Sequence, residues 1–596
     1  MPSIVLGISA FYHDSAAVLL IDNEIIAAAQ EERFTRIKND SAFPVNAIQF
    51  VLAEAGVDGN DLSAVAFYEK PLLKFERLLE TIHSVVPQGA FSFIKAMPMW
   101  FKEKLFIKQI IRKELKKLGA RKDLLILFPE HHLSHAASAY YPSPFSEAAV
   151  VTIDGVGEWT TTSIGYAKGN NITILKEQHF PHSIGLLYSA FTYFLGFKVN
   201  SGEYKVMGLA PYGDILNEQT VSYIDKIKTV LIDIRNDGSY LLNMHYFAFA
   251  SELKMIHVKK WEKLFGIEKR KPETELLQAH KNLARAIQEV LNDIIIMLAQ
   301  TARQLTGSNQ LVLAGGVALN CVANARIIEE GIFSDVWVQP AAGDAGGALG
   351  AAYAAANIWF KQPDRKSGAC DAMKGCQLGP HYDTAAIKKL IAPFGAAYKY
   401  YNDFNELTRF IAKEISKGKI IGWFQGKMEF GPRALGNRSI LADAFSADMQ
   451  SILNVRIKQR ESFRPFAPAV IENDTHLYFN ATRPSRHMSF TFKQLDKISA
   501  PAVIHVDGSA RIQTVNKNVH SRLFQLLEAY KQETGHSLFI NTSFNQRGEP
   551  IVCTPKDAYL AFMQMKLDWL VMGDFVFDYT LQPENNGPKE RKFEAD

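Results

Sequence analysis

Two stretches of this chain are written in the same order. SIVLGIS, AFYHD, SAAVLLI, DNE and IIAAAQEER open it, and AAVVTID, GVGEW, TTTSIGYAK, GNN and ITILKEQ repeat the pattern from Glu147 onward. β-Branched runs separated by turn residues read as strand, corner, strand, turn, strand. A repeated unit of this kind, each copy followed by helical material, constrains the chain to a duplicated α/β domain whose halves face each other across a cleft. The first corners then face that cleft. They carry Gly7, His13 and Asp14 in one half and Asp154, Gly155 and Gly157 in the other.

The layout resembles that of actin, sugar kinases and heat-shock ATPases. LARAIQEVLNDIIIMLAQTARQLTG places Leu283, Ile287, Val290, Leu291, Ile294 and Leu298 on one helical face and ends at a C-cap glycine, Gly307. Strand QLVLAGG follows, and VALNCVANARIIEEG reads as a helix starting directly after the paired glycines. Strand SDVWVQP leads to AAGDAGGALGAAYAAAN, where Asp344 stands before a helix of small residues that permits close approach. MWFKEKLFIKQIIRKELKKLGARKD, between the halves, reads as a basic amphipathic helix whose charges form a solvated face, with membrane-surface or partner docking as the alternative.

Periodicity fails between about 360 and 380, where Gly, Pro, Lys and Asp accumulate. The chain length of 596 residues calls for at least two domains. The expected division is 1–365, a linker over 366–380, and a second domain over 381–596. That domain mixes helix ELTRFIAKEISKGK with strands IIGWFQ and AVIHVD.

Composition excludes several classes. With 66 basic and 62 acidic residues, no long basic face for nucleic acid is indicated. Cys321, Cys370, Cys376 and Cys553 form no CxxC pair, so neither a disulfide framework nor a thiolate zinc knuckle is expected, and a cytoplasmic setting fits. The N-terminus has no basic n-region, and no apolar run reaches the roughly 18 to 20 residues of a membrane span.

HHLSHAASAYYPSPF sets His131 and His135 four apart, on one face if the segment is helical. Spacing alone slightly favours a crowded helix start. The repeat, however, brings Asp154 and Asp344 from strand ends to the same cleft. Two imidazoles and two carboxylates make an N/O donor set suited to Fe(II), Mn(II) or Zn(II). His132 points about 100° away and falls outside the set. His13, paired with Asp14 at the first corner, has an imidazole suited to taking a proton from a hydroxyl. NSGEYKVMGLAPYG brings Glu203 and Lys205, and LAGGVALN brings Gly315, Gly316 and Asn320. These suit a nucleotide or other anion, although paired glycines before a helix also serve close packing.

GKMEFGPRALGNRSI and NVRIKQRESFRPFAP gather Lys427, Arg433, Arg438, Arg456, Lys458, Arg460 and Arg464 among Gly, Pro and Phe. Arginines in such turns usually have anionic partners, and their planar fork suits phosphate and carboxylate, so a phosphate pocket is expected there, with structural ion pairs as the alternative. HSLFINTSFNQRGEPIV adds Asn541, Thr542, Ser543 and Asn545 at a strand end.

With these motifs assembled, the chain resembles the O-carbamoyltransferases of the NodU/CmcH type. The likeness is carried from end to end by GISAFYHDSAAVLL, EERFTRIKND, HHLSHAASAYYPSPF, TIDGVGEWTT, GEYKVMGLAPYG, GGVALN, GDAGGALGAA, MEFGPRALGNRSI and FRPFAP. The resemblance implies a duplicated actin-like (ASKHA) domain joined to an α/β YrdC-like domain. It implies iron on His131, His135, Asp154 and Asp344, catalysis at His13 and Asp14, and a nucleotide or acceptor site at Lys38, Lys205, Gly315, Gly316 and Asn320. It implies a carbamoyl phosphate and ATP site at Lys427, Arg433, Arg438, Lys458, Arg464, Ser543 and Asn545, with Mg(II) admissible beside ATP. The implied reaction forms carbamoyl-adenylate and passes the carbamoyl group to a hydroxyl of a sugar, an antibiotic or another natural product. A homodimer is compatible with it. The competing readings are a metal-dependent ATPase or small-molecule kinase of actin-like fold, and a nucleotide-gated scaffold without turnover.

Overall fold

The computed structural model describes residues 3–85, 106–363, 368, 370–496 and 499–583. Its contacts form two compact units: Met1–Glu31 with Asp40–Ala372, and Glu32–Asn39 with Met373–Asp596.

The first unit holds the duplicated sheet. Strands β1 (Ile4–Ser9), β2 (Ala16–Ile21), β3 (Glu24–Gln30), β4 (Ala64–Phe67) and β5 (Leu125–Leu127) line up as β3-β2-β1-β4-β5. In the second half are β6 (Glu147–Ile153), β7 (Thr160–Lys168) and β8 (Asn171–His179). A two-stranded ribbon of β9 (Ile232–Ile234) and β10 (Tyr240–Leu242) follows, and then β11 (Gln310–Ala314) and β12 (Asp335–Val338). The second large sheet runs β8-β7-β6-β11-β12, the same order as the first. In both, the first three strands are an antiparallel meander and the last two add in parallel. That is the duplicated actin-like arrangement expected from the repeat. β1 is buried along its whole length, which explains its continuous apolar run in place of an alternating one.

Small residues set how closely helices approach these sheets. A methyl group at Gly7 would overlap the Ala348 carbonyl, and one at Gly350 would overlap the Ser134 carbonyl. Helix Asp344–Tyr353 therefore lies directly on β1 and on helix His131–Tyr140, which carries the histidines into the cleft. Helix Gln278–Thr306 buries all six residues of its expected apolar face and ends at Gly307, in the left-handed region at φ 66°. The basic helix runs Ile107–Lys117 and buries Ile107, Ile111 and Leu115, leaving its charges outward; residues 99–105 of that stretch lie outside the described residues.

The second unit is built on an eight-stranded mixed sheet. Its strands are β13 (Lys399–Tyr400), β14 (Ile421–Phe424), β15 (Arg438–Ala442), β16 (Ala467–Ile471), β19 (Gln513–Val515), β20 (Leu538–Ser543), β21 (Trp569–Met572) and β22 (Phe575–Asp578), in the order β13-β22-β21-β14-β15-β20-β16-β19. A separate ribbon pairs β17 (Thr491–Lys493) with β18 (Ser509–Arg511). Helices Phe404–Ser416 and Ser521–Thr534 cover the sheet through Leu407, Ile411, Leu526 and Leu527, which pack with Trp423, Phe539 and Val571.

Two local expectations are corrected. AVIHVD is not a strand, because Asp507 caps the Ser509 N–H at 3.0 Å and Gly508 adopts φ 77°, turning the chain before β18. The helix expected directly after the paired glycines begins later. Gly316–Leu319 forms a 3-10 turn, and the α-helix starts at Cys321 with Asn320 as its N-cap.

Glu32–Asn39 is an excursion out of the first unit. The residues flanking it are tied to one position: Glu31 N–H donates to the Ser15 carbonyl at 2.8 Å, and Ser15 N–H donates to the Asp40 carbonyl at 3.0 Å. Among the described residues, no helix is long and apolar enough to cross a membrane.

Candidate functional site

Asp154 follows β6, held by its N–H to the Thr161 carbonyl at 2.9 Å. Gly316 N–H donates to its Oδ1 at 2.8 Å, and a side chain at Gly315, whose φ is 91°, would overlap the Ile153 carbonyl. The paired glycines thus allow the turn after β11 to reach and orient the carboxylate. Helix His131–Tyr140 places His131 and His135 one turn apart. Their Nε2 atoms face each other at 3.1 Å, and His131 Nε2 lies 3.2 Å from Asp154 Oδ2. Asp344 Oδ1 lies 3.8 Å from His131 Nε2 and 3.9 Å from that of His135.

One ligand atom from each of the four residues falls within 4.8 Å of the others. Donors about 2.0–2.2 Å from a shared ion stand roughly 3 to 4 Å apart, so these spacings fit a metal. The donors' chemistry fits as well. Burial and the neighbouring His131 push the His135 pKa down to about 3, leaving a neutral imidazole, the form that ligates metals. Burial opposes protonation of His131 too, but its hydrogen bond to Asp154 and the charge of Asp344 outweigh burial and raise its pKa. Burial pushes Asp344 up, and its Oδ2 finds no hydrogen-bond partner. His132 stands apart: its Nδ1 meets Thr152 Oγ1 at 2.6 Å, and burial lowers its pKa well below the usual imidazole range.

His13 reaches the same place from the corner after β1. Its Nδ1 lies 3.0 Å from Asp14 Oδ2 and its Nε2 lies 3.8 Å from Asp344 Oδ2. Burial works against its charge, but Asp344, Asp14 and Asp154 outweigh burial and carry its pKa up to about 9. Phe11 and Asp14 flank it at φ 71° and 53°, so the corner is held in conformations that side chains rarely adopt.

Three charged neighbours of the cluster escaped the sequence reading. Glu158 is buried and accepts the His131 N–H at 3.0 and 3.1 Å and the Lys70 N–H at 2.6 Å, a carboxylate at the start of the histidine helix. Glu158→Ala is expected to weaken divalent-metal binding by about 10- to 100-fold, with Glu158→Gln losing less because it keeps an acceptor. Equilibrium dialysis with Mn(II) reads this directly, and equal affinities would refute it. Lys74 and Arg77 are the other two. Lys74 Nζ lies 2.5 Å from Glu69 Oε2, and Arg77 donates to the Gly157 carbonyl at 2.7 Å. Their helix, Pro71–Val85, buries these cations and leaves Leu72 67% exposed.

Lys205 is buried on helix Glu203–Leu209, its ammonium 5.6 Å from the Phe197 ring. Asn320 exchanges amide hydrogen bonds with Gln288 at 3.0 and 3.2 Å, so its side chain is committed to packing as well as capping. Lys38 belongs to the second unit, 3.8 Å from Glu32.

In the second unit the expected cations divide. Lys458 is buried, and its ammonium donates to the carbonyls of Ser543 and Asn545 and, at 3.3 Å, to Asn545 Oδ1. Ser543 Oγ donates to that same Oδ1 at 2.6 Å. Burial, then Arg460 and Arg464, lower the Lys458 pKa well below the usual ammonium range, so positive charges converge here. Arg438 is different. It is fully buried, donates to the carbonyls of Gln425, Pro380 and Asn437 at 2.7 to 3.0 Å, and stacks 3.6 Å over the Phe424 ring. These contacts make Arg438 a brace for the loop, while its Nε has no hydrogen-bond partner. Glu429, unmarked in the sequence reading, organises the same loop by accepting the N–H groups of Leu435 and Asn437 at 2.7 and 2.9 Å. Lys427 and Arg433 are partly exposed, and Arg456 is exposed.

Family models agree with this division. One described as carbamoyltransferase N-terminus matches residues 4–353, and one described as carbamoyltransferase C-terminus matches 412–578. An uncharacterized protein of Synechocystis sp. is 48% identical, over 99% of this chain and all of that protein. Nodulation protein NolNO of Sinorhizobium fredii is 35% identical, over 97% of this chain and 81% of its own length. Full-length HypF in a phosphate- and nucleotide-bound form aligns over 62% of this chain and 56% of its own, at 14% identity and a TM-score of 0.30, too loose a likeness to add to the strand order.

Proposed function

Because the chain belongs to the carbamoyltransferase family, we propose that it is an O-carbamoyltransferase that makes carbamoyl-adenylate in its second unit and transfers the carbamoyl group to a hydroxyl in its first. The observation that carries this reading is the convergence of His131, His135, Asp154 and Asp344, with His13 3.8 Å from Asp344. Membership of the family also removes the kinase and scaffold readings.

The two units suit two unlike steps. In the first step, carbamoyl phosphate loses its phosphate to water, and a carbamate oxygen attacks the α-phosphorus of ATP, expelling pyrophosphate. Anionic reactants and a multiply charged leaving group need fixed cations, and Lys458, Arg460 and Arg464 provide them beside the Ser543–Asn545 turn. In the second step, an acceptor hydroxyl attacks the carbamoyl carbon and AMP leaves. A cation on the His/Asp set, Fe(II) by family resemblance and Mn(II) or Zn(II) by donor chemistry, would supply Lewis-acid polarisation. His13 serves as the base. With a cation bound to Asp154 and Asp344, those carboxylates would hold the His13 imidazolium less strongly, which would favour the neutral ring that accepts a hydroxyl proton. Asp14 orients that ring through Nδ1.

The acceptor is a small molecule bearing a hydroxyl, of the sugar or antibiotic class. The expected result is pyrophosphate release that requires both carbamoyl phosphate and ATP, and a 43-Da mass gain on the accepted substrate, the mass of a carbamoyl group replacing hydrogen by elementary stoichiometry at about that value. Phosphate transfer to the acceptor, with no need for carbamoyl phosphate, would overturn the reading.

A further inference from the structure

Glu32–Asn39 lies between β3 and helix Val45–Ala55 of the first unit in sequence, yet its side chains are spent in the second. Arg36 closes its fork on two successive carbonyls, Ile551 at 2.6 Å and Pro550 at 2.7 Å, and its Nε lies 3.9 Å from Asp557. Arg33, buried, donates to the Gly431 carbonyl at 2.9 Å and lies 3.1 Å from Glu32. Phe34 packs with Met428, Ala434, Ile551 and Cys553.

The carbonyls chosen are not arbitrary ones. Gly431 stands two residues before Arg433, in the loop that Glu429 organises. Pro550 and Ile551 follow Glu549, whose carbonyl accepts the Asn545 side-chain amide at 2.7 Å. Asn545 in turn receives the Lys458 ammonium at its carbonyl, 3.0 Å away. One segment therefore grips both loops that bear the expected anion-site residues.

We propose that Arg36, supported by Arg33, is a positioning residue for the carbamoyl phosphate site, so that residues 32–39 are a working part of the second unit. This rests on the two-site reading above. Arg36→Ala should raise the KM for carbamoyl phosphate in pyrophosphate release by about 10- to 100-fold, the usual cost of a misplacement on the order of 1 Å. Arg36→Lys should not rescue it, because a single ammonium cannot span two carbonyls as the planar fork does. Transfer from added carbamoyl-adenylate should stay at the wild-type rate in both variants, an outcome that general destabilisation would not give.

An unchanged KM in Arg36→Ala overturns the inference, as does an equal loss in both half-reactions. Arg33→Ala, which leaves the Pro550–Ile551 grip in place, provides the second arm and should show a smaller rise of the same kind. If the wild-type protein itself releases no pyrophosphate in response to carbamoyl phosphate, the two-site reading fails first and the inference falls with it.

Discussion

His131→Ala is expected to abolish carbamoyl transfer while pyrophosphate release driven by carbamoyl phosphate and ATP continues. His131 is the most connected member of the His/Asp set, with Asp154, His135 and Asp344 all between 3.1 and 3.8 Å from its Nε2. Its loss leaves two carboxylates and one imidazole, and takes away the donor nearest to Asp154. Metal polarisation of a carbonyl or phosphoryl group contributes several kcal/mol, so the transfer rate should fall roughly 1,000-fold or more. The substitution lies in the first unit, whereas the cations proposed to make the adenylate lie in the second. Separate assays of the half-reactions decide the matter, and loss of both in a folded protein would defeat the division of labour. Metal content measured on the same preparation should fall in parallel with transfer.

Lys458→Ala should do the reverse. The ammonium is buried and held against the Ser543 and Asn545 carbonyls, with Arg460 and Arg464 close enough to depress its pKa. Burial and the two arginines disfavour the charge on Lys458, so an anion bound beside it would restore that charge, and removing the side chain also releases the turn it braces. One preorganised electrostatic partner is worth about 100- to 1,000-fold in rate, and pyrophosphate release should fall by that factor. Transfer from added carbamoyl-adenylate should persist. A variant that still releases pyrophosphate at the wild-type rate would remove Lys458 from the reaction.

Much of the first unit was legible because its signals are local. Strand, corner and turn repeat within 30 residues of chain, and a helix places His131 beside His135 by its own geometry. Asp154 and Asp344 were found because residues at strand ends of a duplicated sheet share a cleft. Glu158 was missed: a carboxylate in the corner after β6, 27 residues from the His131 N–H it accepts, leaves no periodic trace. Arg438 shows a different limit. An arginine among glycines and prolines wants oxygen acceptors, and a sequence cannot distinguish the oxygens of a phosphate from backbone carbonyls, here those of Gln425, Gly426, Asn437 and the distant Pro380. Arg36 is the extreme case, since its partner carbonyl lies 515 residues away.

The Glu32–Asn39 excursion also has a meaning in time. During synthesis those residues emerge more than 300 residues before Met373, where the remainder of their unit begins. At about 5–20 residues per second, the interval is roughly 15 to 70 s. Throughout it Phe34 and the two arginines are without the loops they will grip, while the pinch at Ser15 is made from chain already in hand. The early-made half thus presents a ready template, and the late-made half completes its own fold by closing around a piece of chain translated first.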